Sequence, residues 1–224
     1  MKQAILIMLI TVITLTGCGQ NVSQQKKLSE TLVGGPCEGC EAIYESPVAF
    51  EKLNNICWLA DWKDAGTTLA VNGTVYKPDG TPAPGIIIYI YHTDQTGHYP
   101  TKETASGWGK RHGYIRGWMK TNEKGEYKFF TLRPQPYPGR KDPAHIHVTI
   151  KEPGKNAYWI DEYVFDDDPL LTDEKRNKLE NRGGSGILPF SSYYKGRKSL
   201  KSERNIYLGR NIPGYPAQKA KTTL

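Results

Sequence analysis

His145 and His147 stand two residues apart in Asp142-Pro-Ala-His-Ile-His-Val-Thr-Ile150. On a strand, that spacing puts both imidazoles on one face and Ile146, Val148 and Ile150 on the other. Two neutral imidazoles on a rigid element are half of a metal site, and alone they suit zinc, copper, iron and nickel equally. Two tyrosines narrow the choice. Tyr137 lies eight residues before His145 in a loop stiffened by Pro134, Pro136 and Pro138, and Tyr99 follows an apolar run through His92-Thr-Asp-Gln-Thr-Gly97. A phenol gives up its proton at about pH 10 in water, so a tyrosinate ligand at neutral pH calls for a hard, highly charged ion. Fe³⁺ meets that requirement. Two tyrosinates and two histidines neutralise most of its charge and leave a position for water or substrate.

These residues need strands and loops to hold them. Runs rich in β-branched and aromatic residues predict strands at Thr68–Tyr76, Ile86–Tyr91, Gly113–Thr121, Glu126–Leu132, His145–Lys151 and Tyr158–Phe165, with a last one around Ile206–Leu208. Pro78-Asp-Gly80 and Asn122-Glu-Lys-Gly125 are turns, because proline presets φ and glycine accepts a positive φ. One short helix is expected from Thr172 to Asn181, with Thr172 as N-cap, acidic residues in its first turn and Gly183-Gly-Ser-Gly186 ending it. The fold class is therefore all-β: an antiparallel sandwich of prealbumin or immunoglobulin type, with long loops. The loops from Thr101 to Arg116 and after Gly184 are expected to wall the pocket. No internal repeat is present.

Taken together, Tyr99 in Gln-Thr-Gly-His-Tyr, Tyr137 in Pro-Gln-Pro-Tyr-Pro and the Pro-Ala-His145-Ile-His147 motif resemble the intradiol ring-cleaving dioxygenases, on the protocatechuate 3,4-dioxygenase side of that family. The similarity runs from about Gly73 to Asp168 and includes Asn72-Gly-Thr-Val-Tyr-Lys-Pro-Asp-Gly-Thr-Pro82 and Phe165-Asp-Asp-Asp-Pro-Leu170. It implies Fe³⁺ held by Tyr99, Tyr137, His145 and His147. A catechol would bind as a dianion while Tyr137 leaves the metal and helps to accept a proton, and O₂ would open the ring to a muconate-type product. The chain departs from the family pattern at two positions and in one spacing. Asp142 stands where an arginine usually precedes Pro-Ala-His, Glu162 matches a usual second-shell glutamine, and the Tyr137–His145 spacing is short. Arg140 or Arg133 is expected to supply the missing positive charge. The competing readings are a non-catalytic exported β-sandwich binding module, and a copper or zinc site that joins His98 or His112 to the histidine pair.

The first residues give an address. Lys2, an apolar uncharged run from Ala4 to Leu15 and then Leu15-Thr-Gly-Cys18 form a secretory signal that resembles a lipobox, with Cys18 as the lipidated first residue of the mature chain. The expected layout is residues 1–17 as signal, 18–40 as lipidated tether, 41–66 as an N-terminal extension, 67–212 as the sandwich and 213–224 as a tail. The protein is thus expected outside the cytoplasm, anchored to a membrane. Oligomerisation is left open. Of the remaining cysteines, Cys37, Cys40 and Cys57, a bridge from Cys57 to Cys37 or Cys40 is favoured over zinc, which wants a fourth ligand. No βαβ pattern supports a redox role for Cys37-Glu-Gly-Cys40. The net charge is +7 over 224 residues, with cations scattered through loops and around Lys195, Arg197, Lys198, Lys201 and Arg204. They are not interleaved with aromatics, so no nucleic-acid partner is expected.

Overall fold

The computed structural model describes residues 30–61, 66–189 and 199–217; the signal segment, Cys18 and the last residues of the tail lie outside the described residues. Ten strands run β1 Ile56–Trp58, β2 Thr68–Tyr76, β3 Ile87–His92, β4 Arg116–Lys120, β5 Glu126–Leu132, β6 His145–Lys151, β7 Tyr158–Phe165, β8 Ile187–Leu188, β9 Ser199–Glu203 and β10 Ile206–Tyr207. They form two five-stranded sheets: one in the order β1-β5-β2, with β9 and β10 both on the outer edge of β2, and one in the order β4-β3-β6-β7-β8. The apolar faces meet in one core, where Val71, Val75 and Phe129 of the first sheet join Ile88, Ile90, Ile146, Val148 and Ile150 of the second. Alternation along β2 and β5 creates the face that enters it.

The expectation of a purely antiparallel arrangement is corrected at the edges. The central ladders β2–β5, β3–β4, β3–β6 and β6–β7 are antiparallel, but β1 pairs with β5, β8 with β7, and β9 and β10 with β2 in parallel. Strand β9 is a polar run without a strand-like pattern, and its conformation is set by the exposed edge of Thr68–Asn72 that it completes. Gly73 marks the changeover from β9 to β10, since a Cβ there would stand 1.8 Å from the Arg204 carbonyl oxygen. Strand β4 starts later than Gly113 because Gly113 takes a positive φ and Tyr114 N–H donates to the Pro100 carbonyl.

A short α-helix, α1, covers Gly109–His112, and the expected helix appears as α2, Asp173–Lys178. Thr172 accepts from Lys175 N–H as its N-cap. The helix stops before Asn181 because the Asp161 carboxylate accepts from Asn181 N–H at 2.8 Å and Arg182 N–H at 3.1 Å, and draws the chain off the helix axis.

Expectations at both ends of the chain are revised. The disulfide joins Cys37 to Cys40, and Cys57 is a free thiol. Cys57 lies on β1 in the other sheet, directed at Gly117, where burial pushes its thiol up to about 11. The packed chain begins well before residue 40: Val33 is 3% exposed and its N–H donates to Asn156. At the other end, folded structure continues past 212, because Gly34 N–H donates to the Pro213 carbonyl and the Tyr215 hydroxyl to Glu152. Residues 40–45, a 3-10 helix, cover the outer face of the second sheet in a second apolar cluster with Ile87 and Tyr89. That double covering explains why β3 reads as unbroken apolar sequence. Among the described residues no helix is long and apolar enough to cross a membrane.

Candidate active site

Strand β6 presents its residues as the alternation requires: Ile146, Val148 and Ile150 enter the core, while His145 and His147 lie on the outer face. The β6–β7 register shifts between Ile146 and Val148, a bulge that brings Glu162 beside His147. His147 Nδ1–H donates to Glu162 Oε1 at 2.7 Å, and His145 Nδ1–H donates to the Pro143 carbonyl at 2.7 Å. Both rings are thereby fixed in the tautomer that leaves Nε2 as a lone pair. Those lone pairs point at the tyrosines. The Tyr99 hydroxyl lies 2.8 Å from His147 Nε2, and the Tyr137 hydroxyl lies 3.3 Å from His147 Nε2 and 3.2 Å from His145 Nε2. The two hydroxyls touch each other.

Two loops deliver the tyrosines, and they are stitched together. Thr93 Oγ1 donates to the Gln135 carbonyl, Gln135 N–H to the Asp94 carbonyl, and Gln95 to the Arg133 carbonyl. Asp94 closes its own turn by accepting from Thr96 and His98 N–H. Gly97, at φ 78°, lets the two loops touch, since a Cβ would lie 2.2 Å from the Pro136 carbonyl oxygen.

The charges suit a cation at this point. Burial, the hydrogen bond with Tyr137 and its negative neighbours push the Tyr99 phenol well above its ordinary range, and burial raises Tyr137 as well. Both are therefore phenols until something positive replaces their protons. Burial lowers His145, which keeps it a neutral ligand. For Glu162 burial acts upward, but the hydrogen bond from His147 and the neighbouring imidazoles outweigh it and hold the carboxyl at about 2.

The four donors fit one metal ion. Metal–nitrogen bonds of about 2.0–2.1 Å put neighbouring ligand atoms about 3 Å apart, which matches the separations above. Glu162, with His145 and His147, also belongs to a group whose ligand atoms lie within 4.8 Å of one another. Its carboxylate is on the Nδ1 side of His147, away from the convergent lone pairs, so it orients the imidazole.

The remaining predicted residues fall elsewhere. Arg140 lies over the Tyr137 ring at 5.7 Å, whereas Arg133 forms a bidentate pair with Asp167 and stacks on Phe165. Asp142 is exposed at the start of the loop into β6. His98 is exposed and bonded to Thr96. His112 is buried, bonded to the Tyr89 hydroxyl and stacked on Tyr91. Neither joins the histidine pair, and among the described residues the copper or zinc alternative has no third imidazole.

Tyr91 was not singled out by the sequence, although it pairs with His147 in the β3–β6 register. Its ring stacks on His147 at 4.4 Å and on His112 at 3.7 Å. A cleft of about 260 Å³ opens here, walled by Tyr91, His147, Trp159 and Glu162 of the sheet and by Cys37 and Glu38 of the disulfide loop. The segment from Thr101 to Arg116, expected to wall the pocket, lines a different hollow beside Trp118.

A family model described as Dioxygenase matches residues 46–179. Catechol 1,2-dioxygenase 1 of Acinetobacter lwoffii is 27% identical over 150 residues, which is 56% of this chain and 47% of the relative. The 6-chlorohydroxyquinol 1,2-dioxygenase of Cupriavidus pinatubonensis is 31% identical over 109 residues, 40% of this chain and 37% of the relative. The chain spans about half or less of the length of these curated relatives. Among solved structures, the dioxygenase domain of a dioxygenase and carbohydrate-binding fusion from Streptomyces sp. SirexAA-E superposes with a TM-score of 0.53 at 22% identity, covering 67% of this chain and 85% of that one. Wild-type catechol 1,2-dioxygenase of Acinetobacter radioresistens gives 0.54 at 16% identity, with 78% and 65% covered. At these identities the structural likeness concerns the fold.

Proposed function

This chain belongs to the intradiol ring-cleavage dioxygenase family, and on that premise we propose that it opens a catechol-type ring with O₂ to a muconate-type product, with Fe³⁺ held by Tyr99, Tyr137, His145 and His147. The observation that carries the proposal is the convergence of two phenol oxygens and two Nε2 lone pairs at 2.8 to 3.3 Å. When bound, ferric iron supplies a Lewis acid that withdraws electron density from the catechol and so opens its ring to O₂.

The chain's own groups prepare that chemistry. Glu162 and the Pro143 carbonyl hold the imidazoles turned with Nε2 toward the tyrosines. A catechol has to shed two protons to bind as a dianion, and the Tyr137 oxygen is a base for one of them. Arg140 lies over that ring and favours its phenolate form. Arg133, committed to Asp167, is not assigned that role. The Asp142 carboxylate opposes negative charge on the substrate, so Arg140 carries the compensation alone. The proposal takes the two sheets as the layers of a prealbumin-like sandwich.

It also takes the chain as exported and lipid-anchored through Cys18. The lipobox-like sequence supports this, as does the Cys37–Cys40 disulfide, which an oxidising compartment permits. Oxygen uptake by iron-loaded protein over a catechol panel tests the activity. One O₂ consumed per ring opened is the expected result, and no uptake with any member would overturn it.

A further inference from the structure

Tyr89 and His112 take no part in the metal centre, yet the fold builds them into a pair. Tyr89 lies in the middle of β3, fully buried under the 3-10 cover, and its hydroxyl meets Nδ1 of His112, the last residue of α1, at 2.9 Å. A charged neighbour fixes the direction of that bond. The Arg116 guanidinium stands beside the same hydroxyl and can only donate to it, so the phenol's own proton points at the imidazole. Burial pushes the Tyr89 phenol well above its ordinary range and holds His112 well below that of a free histidine. The pair is a neutral phenol facing a neutral base.

Aromatic rings connect this pair both to the surface and to the metal centre. Tyr89 stands opposite Trp118 in the β3–β4 register, with ring centroids 4.8 Å apart, and the half-buried Trp118 lines the open hollow beside β4. On the other side His112 stacks on Tyr91 at 3.7 Å, and Tyr91 stacks on His147 at 4.4 Å. A phenol in an apolar interior resists losing an electron unless its proton leaves with it, because a charged radical would be stranded away from water. An electron passes between rings in van der Waals contact, whereas a proton needs a hydrogen-bonded base. Tyr89 has a partner for each: Trp118 for the electron and His112 for the proton.

We propose that Tyr89 is a redox-active tyrosine, with His112 as its proton acceptor and Trp118 as its relay to solvent, which intercepts oxidising equivalents before they reach the tyrosines of the metal centre. The oxidant is a one-electron radical species in solution. It takes one electron from Trp118, the indole recovers that electron from Tyr89, and the Tyr89 O–H proton moves to His112 Nδ1. The products are a neutral phenoxyl radical, an imidazolium and the oxidant reduced by one electron. A catechol, a ready electron donor, returns the electron to Tyr89, and His112 returns the proton. The charges around the imidazole suit a reversible transfer: Glu45 favours the imidazolium, while Arg111, Arg116 and His147 oppose it. The protective role rests on the reading of Tyr99, Tyr137, His145 and His147 as the metal centre, and the redox pair itself does not.

The test is flash photolysis of the full chain with photogenerated tris(bipyridine)ruthenium(III) as the oxidant. A phenoxyl radical forms, read by electron paramagnetic resonance, and its yield falls severalfold in Tyr89→Phe. His112→Gln keeps a hydrogen-bond acceptor but loses the base, so with an unchanged far-ultraviolet circular dichroism spectrum the radical forms on the order of 100-fold more slowly. In the unmodified chain, which needs no variant to fold, the formation rate declines as His112 takes up a proton at about pH 4. Peptide mass spectrometry after the flashes finds more oxidised Tyr99 and Tyr137 in Tyr89→Phe than in the unmodified chain. A radical yield unaltered in Tyr89→Phe, a formation rate unaltered in folded His112→Gln, or a rate that stays flat through pH 4 overturns the redox pair and leaves the metal centre standing. Equal oxidation of Tyr99 and Tyr137 in both proteins overturns the protective role.

Discussion

At the scale of single residues, His147 makes the central contacts: Nδ1 to Glu162, Nε2 to both tyrosines, and its ring face to Tyr91. Removing the carboxylate frees the imidazole to turn and to change tautomer. Glu162→Leu is therefore expected to lower iron affinity about 10- to 100-fold, read as metal retained after dialysis against a chelator. Retention equal to that of the unmodified protein would remove Glu162 from the supporting role. The four side chains that converge here were legible in the sequence because residue type and spacing point to one shared site: two histidines in a strand alternation, and two tyrosines flanked by turn formers. Tyr91 was not, because a tyrosine in an apolar strand looks like any core aromatic until the register sets it opposite a histidine. Arg133 also looked available in the sequence, and it is Asp167, distant along the chain, that engages it.

Elements decide whether the quartet assembles. Tyr99 and Tyr137 ride on different loops, whose closest approach is at Gly97 against Pro136. Gly97→Ala adds a Cβ into a carbonyl oxygen and asks alanine for a positive φ, which alone costs about 1–2 kcal/mol. The loops must part. The expected outcome is a lower melting temperature together with a larger fractional loss of bound iron, while far-ultraviolet circular dichroism retains the strand signal. Unchanged iron content would show that the loops position the tyrosines independently. The six internal strands from β2 to β7 were readable because each alternates or carries a continuous apolar run. The peripheral β1, β8 and β9 were not, since short or polar segments owe their conformation to the edge they complete. The disulfide was misassigned for a related reason: sequence separation says nothing of which sheet a cysteine occupies, and Cys57 belongs to β1.

For the whole molecule, the N-terminal segment is part of the fold, adding β1 to one sheet and a 3-10 cover to the other, and so closing the cleft beside His147. That packing buries neutral histidines. Burial, followed by smaller effects from neighbouring groups, depresses His92 and His112 to about 4. Unfolded histidine takes its proton at about pH 6.5, so between pH 6.5 and 4 the unfolded state binds more protons than the folded one. Stability is therefore full above about 6.5 and falls as the pH drops toward 4, with a smaller fall in His112→Gln. A melting temperature flat across that window would contradict it. The most direct check on the central claim is the visible spectrum of iron-replete protein: tyrosinate bound to Fe³⁺ gives a red-brown charge-transfer band, which weakens in Tyr137→Phe along with iron content. A colourless iron-replete sample, with iron content unaffected by Tyr137→Phe, would contradict the account.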